Sequence, residues 1–526
     1  DLVRSRGLGD VYKRQALPHV VEPTSVQNAL IPAMLSPKDV VLRAHTGSGK
    51  SFAVLLALLA RPRLLFQSRS GAEPPVPGIS ALVIVPSNEL AYQYMRWAHE
   101  LMPAQLSAHM DAVIQCVVRG EATMDAQMTR LRETPPHVLI GTPTRLQECF
   151  AMAQGAHLLG LHTWRTLVLD EADALLNLPG RFPSEKQRWK HLTHPSPGLH
   201  VLDTIMRSRA TFSGGERLPN AGMESYGPKR GADRRPPEPI RRTQYKGVEN
   251  TTDLAPALAR GIGVVPLQLV CTSATANSVL RHFLSARTGW LRTNTRETRD
   301  SAQWIDLTGQ SGQLSAVGAP YRGSMPRELT HSCVVVDEVH GSPQPRLLDT
   351  TRGTAAPLAL RKPASTSTTP AIQEHVVDLP LLEMLAYLYA SEHVRRGLAL
   401  IPARWSVQRV HDELAALGVP VKIVASGQIM SSSEDAMYVL QSTSARGLDI
   451  PNMSHVFLVG LQAVRDSLHY THAAGRVARI GPDGQRPRGH VVTLIRGNSA
   501  AEQKMSQIYK RVGVELRPLQ LRSLSL

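Results

Sequence analysis

The stretch Ala44-His45-Thr46-Gly47-Ser48-Gly49-Lys50-Ser51 holds the residue types that bind phosphate groups. Glycines let backbone N–H groups converge on phosphate oxygens, and the start of a helix adds partial positive charge. In that frame Lys50 reaches the terminal phosphates of a nucleotide, and the Ser51 hydroxyl ligates Mg²⁺. Farther along, Asp170-Glu171-Ala172-Asp173 closes the apolar run Thr166–Leu169. An acidic pair at the carboxyl end of a buried strand stands where parallel sheets bind ligands. Asp170 is placed to hold Mg²⁺ through water, and Glu171 to orient or deprotonate an attacking water. Taken alone, the same four residues could cap a following helix, because acidic side chains favour helix N-termini. Combined with the glycine loop, chemistry is the better reading.

Such a loop needs a strand before it and a helix after it. Asp39–Arg43 supplies the first, and Phe52–Ala60 reads as the buried start of the second. The runs Ala81–Val85, His137–Ile140, Thr166–Leu169 and Leu267–Thr272 extend the strand set. Near-continuous apolar runs of this kind suit parallel strands buried on both faces. A second set comprises His331–Val336, Leu398–Ile401, Val419–Val424, Ala436–Leu440, His455–Val459 and His490–Ile495. Strands alternating with helical segments predict an α/β protein with two doubly wound parallel-sheet domains. Three segments interrupt the alternation. Residues 179–263 carry Gly-Gly, Pro-Pro and the pairs Arg234–Arg235 and Arg241–Arg242, and read as a basic, largely disordered insertion. Residues 289–328 read as a polar linker, and 341–370, rich in Pro, Ser and Thr, as a flexible insertion.

The 526 residues suffice for two or three domains. A hydrophobic fraction of 42% is ordinary, while 5% aromatics leaves the cores to aliphatic side chains. No apolar run approaches the roughly 18 residues of a membrane span. The formal charge of +16 favours a polyanionic partner. Cys116, Cys149, Cys271 and Cys333 are far apart, without metal-ligand spacing, and read as reduced thiols with no zinc site. His469 and His472, with no third ligand in view, read as helix residues rather than a metal pair. Asp1–Gln15 has the basic residues of a targeting segment, Arg4, Arg6, Lys13 and Arg14, offset by Asp1 and Asp10.

These motifs, in this order, resemble the DEAD-box RNA helicase family. Pro23-Thr24-Ser25-Val26-Gln27 resembles the family's adenine-reading motif, with Val20 at its usual upstream aromatic. Pro86-Ser87-Asn88-Glu89-Leu90-Ala91-Tyr92-Gln93 resembles a motif that grips the RNA backbone, with Asn88 at the family's arginine. Arg119-Gly120 stands where the family has a glycine pair, and Thr142-Pro143-Thr144-Arg145 resembles the next RNA-binding motif, with Thr144 for glycine. Ser273-Ala274-Thr275 matches the motif coupling hydrolysis to domain closure. Ala445-Arg446-Gly447-Leu448-Asp449 resembles the motif spanning RNA and ATP, with Gln441 and Ser442 at the usual threonine and aspartate upstream. His472-Ala473-Ala474-Gly475-Arg476-Val477-Ala478-Arg479 resembles the motif of the arginine fingers, with Ala473 in place of an arginine. Only Ile429–Asp435 stands where the family has a longer loop and an RNA-contacting helix.

The resemblance implies two tandem RecA-like domains, an ATP-binding domain over residues 20–288 and a helicase C-terminal domain over 329–500. Residues 1–19 become an N-terminal extension of doubtful origin and 501–526 a C-terminal extension. It implies ATP and Mg²⁺ as cofactors, with Gln27, Ala44, Thr46–Ser51 and Asp449 on ATP. Lys50, Asp170, Glu171, Arg476 and Arg479 would then be catalytic, and Ser51 and Asp170 would hold the metal. Pro86, Glu89, Gln93, Thr142, Pro143, Arg145, Arg446 and Gly447 would meet RNA. The implied activity is ATP-dependent RNA remodelling in a ribonucleoprotein or ribosome assembly, with ribosomal RNA and assembly proteins as partners and no membrane. The departures gather on the RNA side, which raises a second reading: a nucleotide-gated clamp or structural subunit with little unwinding. For compartment, the family analogy points to the mitochondrion, with the nucleus or nucleolus as the alternative.

Overall fold

The computed structural model describes residues 22–66, 76–120, 122–152, 155–161, 163–179, 183–212, 266–291, 302–308, 325, 328–339, 342–348, 377–424, 434–443, 453–477 and 488–519. The chain divides into two compact units at Leu307 and Thr308.

In the first unit the strands are β1 Val40–Arg43, β2 Leu65–Phe66, β3 Val76–Pro77, β4 Ala81–Ile84, β5 Ile114–Val117, β6 Val138–Gly141, β7 Thr166–Asp170, β8 Gln268–Ser273 and β9 Gln303–Asp306. Apart from the small antiparallel pair β2–β3, they form one sheet in the order β5-β6-β4-β7-β8-β1-β9. Every pairing in it is parallel. Alternate residues of the same strands feed two cores, as the period of two requires. Val41, Leu82, Ile84, Leu167 and Leu169 pack on one face. Val40, Leu42, Ala81, Val83 and Val168 pack on the other. Burial on both faces is why these strands read as unbroken apolar runs.

The second unit holds β10 Leu329–Val339, β11 Ser342–Leu347, β12 Gly397–Ile401, β13 Val421–Ile423, β14 Met437–Gln441, β15 His455–Val459 and β16 Gly489–Arg496. Their order is β11-β10-β16-β15-β12-β14-β13, parallel except for the antiparallel β10–β11 pair. Its core too has two faces.

Four boundaries differ from the sequence expectation. The insertion does not begin at residue 179: helices Glu185–Thr193 and Pro197–Phe212 lie there. Leu199, Leu202, Ile205 and Met206 of the second helix are buried in the first core, a stripe at helical spacing. Residues 213–265, with both arginine pairs, lie outside the described residues. The linker 289–328 contains β9, which pairs with β1. The flexible stretch 341–370 begins with β11, despite Pro343 and Pro345. Two prolines spaced by two remove N–H groups from the same side of a strand, which an edge strand tolerates. Finally, the C-terminal extension is largely part of the second domain. Helix Ser499–Val512 buries Met505, Ile508, Tyr509 and Val512 in its core. The extension 1–19 and residues 349–376 lie outside the described residues.

No disulfide joins the four cysteines, and three of them are buried. Burial pushes the Cys149 thiol up to about 11 and Cys333 up to about 12, so both stay protonated at neutral pH.

Candidate nucleotide site

Register brings the motif-bearing loops to one edge of the first sheet. Arg43 stands level with Ser273, Asp170 with Thr272, and Ile84 with both Leu169 and Gly141. The loops after β1, β4, β6, β7 and β8 therefore leave the same carboxyl edge, where open parallel sheets bind ligands.

Gly47 and Gly49 adopt φ of 67° and 86°, the left-handed region that glycine enters without penalty. The turn they make runs straight into helix Lys50–Leu59. Lys50 is buried and its Nζ donates to the Ala44 carbonyl at 2.9 Å. The Ala44 N–H in turn donates to the Ser273 carbonyl at 3.2 Å, tying the loop's root to β8.

Gln27 sits beside this loop. In the capping box that starts helix Ser25–Leu35, Gln27 Oε1 accepts from the Thr24 N–H at 2.9 Å. Thr24 Oγ1 accepts from the Gln27 N–H at 3.2 Å and donates to the Ser48 carbonyl at 3.3 Å. A Cβ on Gly49 would lie 3.3 Å from Gln27 Nε2. The residue expected to read adenine thus spends its carbonyl oxygen on a local cap, while its amide nitrogen abuts the glycine loop.

Asp170 is wholly buried at the end of β7. Its Oδ1 accepts from Thr272 Oγ1 at 2.5 Å and from the Glu171 N–H at 3.0 Å, and its Oδ2 from Tyr94 OH at 2.8 Å. Ser51 also hydrogen-bonds the carboxylate. Burial raises its pKa above the ordinary aspartate value, and the bonds from Ser51, Thr272 and Tyr94 pull it back. Burial, with the neighbouring Asp170 charge, holds the Tyr94 phenol well above its usual range, so it stays a donor.

Glu171 follows in the left-handed region, φ 53° and ψ 51°, a conformation a non-glycine residue holds only under constraint. The turn it makes separates β7 from helix Ala172–Leu176. Asp173, in that helix's first turn, does not cap it: Oδ1 accepts from Ser273 Oγ at 2.5 Å and Oδ2 from Thr275 Oγ1 at 2.6 Å. One carboxylate therefore clasps both hydroxyls of the Ser273-Ala274-Thr275 motif.

The residues expected to meet RNA cluster after β4 and β6. Ser87 caps helix Asn88–Leu101, with Glu89 in its first turn and Gln93 buried. Pro86 precedes that cap, and Thr142 stands before helix Pro143–Ala151, whose first residue is Pro143. Asn88 Nδ2 donates to the Arg119 carbonyl at 2.7 Å. Arg145 is buried, donating to Gln127 Oε1 at 3.0 Å, Glu148 Oε2 at 3.1 Å and the Ala122 carbonyl at 3.1 Å. The Arg119 and Arg145 guanidiniums hold the Glu148 carboxyl below the usual carboxylate range. Arg145 is built in as a brace.

In the second unit Arg476 is buried, with Nε donating to the His472 carbonyl at 3.2 Å. Ala473 lies in the core, so an alanine fits there for packing reasons. His469 Nε2 lies 3.3 Å from the Ser442 carbonyl. Arg446, Gly447, Asp449 and Arg479 fall outside the described residues, as does most of the shortened stretch Ile429–Asp435. Three site residues went unnoticed in the sequence: Tyr94, Thr272 and the role of Asp173. The signal for Tyr94 was an aromatic hydroxyl in the buried stripe of its helix, with Leu90, Ala91, Ala98 and Leu101, since such a hydroxyl needs a partner.

The family model of the DEAD/DEAH box helicases matches residues 24–213, from the Gln27 cap through the glycine loop and the acidic pair. Over that stretch the chain is similar to the DEAD/DEAH box helicases. Among curated relatives, the ATP-dependent rRNA helicase spb4 of Schizosaccharomyces pombe is 34% identical over 158 residues, 30% of this chain and 24% of that one. The probable ATP-dependent RNA helicase DDX28 of Homo sapiens is 35% identical over 164 residues, 31% and 28% of the two chains. The mitochondrial DEAD-box ATP-dependent RNA helicase 47 of Arabidopsis thaliana is 36% identical over 158 residues, 30% and 27%. The chain thus spans about a quarter of the length of the curated relatives it matches. Among solved structures, the DEAD-box helicase Mss116 bound to ssRNA and UDP-BeF superposes with a TM-score of 0.55 at 15% identity, covering 98% of this chain and 80% of that one. S. cerevisiae Dbp5 bound to RNA and ADP BeF3 gives 0.53 at 15% identity, covering 97% and 93%. The fold is that of tandem RecA-like domains.

Proposed function

We propose that this chain is an ATP-dependent RNA-remodelling ATPase of the helicase type. The observation that carries the proposal is the buried Asp170 carboxylate, bonded to Ser51 and Thr272 at the mouth of the glycine loop. Hard oxygen donors, one carboxylate and one hydroxyl, fit Mg²⁺. When bound there, Mg²⁺ neutralises phosphate charge during phosphoryl transfer. The protein's own part follows from its geometry. Lys50 exchanges the Ala44 carbonyl for a phosphate oxygen, and Glu171 takes a proton from the attacking water. Asp173 passes any shift of the β7 end to Ser273 and Thr275 at the end of β8. Arg476, with Arg479, supplies positive charge from the second unit. RNA is assigned to Pro86, Glu89, Gln93, Thr142 and Pro143, with Arg446 and Gly447, and is held by its backbone.

A second reading has its own support. Arg145 and Asn88 are committed to internal hydrogen bonds and Ala473 to the core, which fits a nucleotide-gated clamp with weak unwinding. The relatives' names support ribosomal RNA as substrate and the mitochondrion as compartment; the nucleus or nucleolus is the alternative by family analogy. The basic stretch around Arg234–Arg242 is the segment proposed to meet partner proteins. The test is steady-state ATP hydrolysis with and without RNA. RNA should stimulate it, and Lys50→Ala or Glu171→Gln should abolish it. Hydrolysis no faster with RNA overturns remodelling; stimulation without displacement of a short duplex selects the clamp.

A further inference from the structure

At the amino-terminal edge of the second sheet, His455 begins β15 and His490 stands directly opposite it on β16. Their rings lie 5.4 Å apart, centroid to centroid. Glu392, the residue that ends helix Leu379–Ser391, completes a group whose ligand atoms all lie within 4.8 Å of one another. All three residues are half-buried, so the cluster is shielded yet reachable from solvent.

The surrounding hydrogen bonds decide what the two rings present. Ser454 Oγ gives its single proton to the Arg396 carbonyl at 3.0 Å. At 2.9 Å from His455 Nδ1 it can therefore only accept, which puts that ring's proton on Nδ1 and leaves a lone pair on Nε2. Ser332 Oγ likewise gives its proton to the Arg517 carbonyl at 2.7 Å. It accepts from His490 Nε2 at 3.0 Å, leaving the lone pair on Nδ1. Each ring then keeps one lone pair outside these bonds, in a group that also holds a carboxylate, and lone pairs repel a carboxylate. A cation resolves that conflict. A ring nitrogen ligating a metal while the other is held by a polar group is the arrangement that orients histidine ligands.

We propose that Glu392, His455 and His490 bind a borderline divalent transition metal ion, Zn²⁺ first, with water in the remaining position. Two imidazoles and one carboxylate suit that class better than Mg²⁺ or Ca²⁺, which take oxygen ligands. Bonds of about 2.0–2.1 Å space tetrahedral ligands by about 3.4 Å, which falls inside the 4.8 Å that bounds the cluster. The ion ties the end of helix Leu379–Ser391 to β15 and β16, and is separate from the nucleotide chemistry of the first unit.

The test titrates ZnCl₂ into the untagged, chelator-treated full chain, with calorimetry and the visible spectrum of a Co²⁺-loaded sample as readouts. One equivalent should bind, and His455→Ala and His490→Ala should each remove it. Ser454→Ala and Ser332→Ala, which touch no metal, should weaken it by about 10–100-fold. Glu392→Gln, at a half-exposed helix end, gives a folded variant in which binding weakens if the histidine variants fail to fold. His411→Ala, a half-buried histidine elsewhere in the same unit, should change nothing. A wild type that takes up no stoichiometric Zn²⁺, with the cluster satisfied by a proton instead, overturns the site. So does an equivalent that survives in Glu392→Gln and Ser454→Ala at unchanged affinity.

Discussion

Tyr94 and Asp173 are the two side chains whose removal separates building the nucleotide site from using it. Tyr94→Phe deletes the bond to Asp170 Oδ2 and leaves the buried carboxylate one donor short. The cost is about 1–2 kcal/mol, to be read as a lowered denaturant midpoint, and ATP affinity should fall with it. Asp173→Ala acts differently. It strips Ser273 and Thr275 of their shared acceptor while leaving the glycine loop and Asp170 intact. ATP binding should stay within a few-fold of wild type while RNA-stimulated hydrolysis drops by at least about 10-fold; equal losses in both would show a general structural defect. The catalytic side chains were legible in the sequence because their chemistry fixes type and spacing together. Their supports were not. A tyrosine in an amphipathic helix reads as packing, and an aspartate after an acidic pair reads as a cap, until the strand that meets each is known.

At the level of elements, Arg145 and Arg119 share Glu148 and differ in burial. Arg145 joins helix Met124–Glu133 to helix Pro143–Ala151 from a buried position. Arg119 reaches the same carboxylate from the surface, with its side chain 59% exposed. Arg145→Ala should therefore cost roughly 2–3 kcal/mol and Arg119→Ala within about 0.5, measured by chemical denaturation. Strand β10 carries a second test. His331 is buried against Tyr470 OH at 2.8 Å, and burial lowers its pKa to about 3 from an ordinary 6.5. The unfolded chain takes up that proton first. The stability His331 confers is thus whole above pH 6.5 and lost as pH falls toward 3, at up to about 1.4 kcal/mol per pH unit. His331→Gln should flatten that part of the stability profile, whatever it costs at neutral pH. Strands buried on both faces announced themselves as apolar runs. Those that went unread were the two-residue strands β2 and β3, β5, broken by Gln115 and Cys116, the half-buried edge β9, and β11 with its two prolines. Edge strands answer to one neighbour and to solvent, so their composition obeys no single period.

Across the whole molecule, each unit has its own pair of cores, and stability should follow that division. Heating should unfold the chain in two transitions. In the absence of RNA, ATP with Mg²⁺ should raise only the first unit's midpoint, since a ligand stabilises what it binds. Zn²⁺ should raise only the second, and Glu392→Gln should erase that response while sparing the other. Calorimetric scans with each ligand alone check both statements. The strand β9 carries a mechanical consequence. It is the last element before the crossing at Leu307 and Thr308, and it covers the open side of β1, with Asp306 paired to Arg43 at 3.2 Å. A load drawn along the polypeptide from the second unit meets the Leu307 N–H bond to the Arg43 carbonyl at 2.8 Å, then that ion pair, and peels β9 away rung by rung. The strand it uncovers is the one that carries the phosphate loop, so tension between the units would loosen the grip on nucleotide before it unfolds either of them.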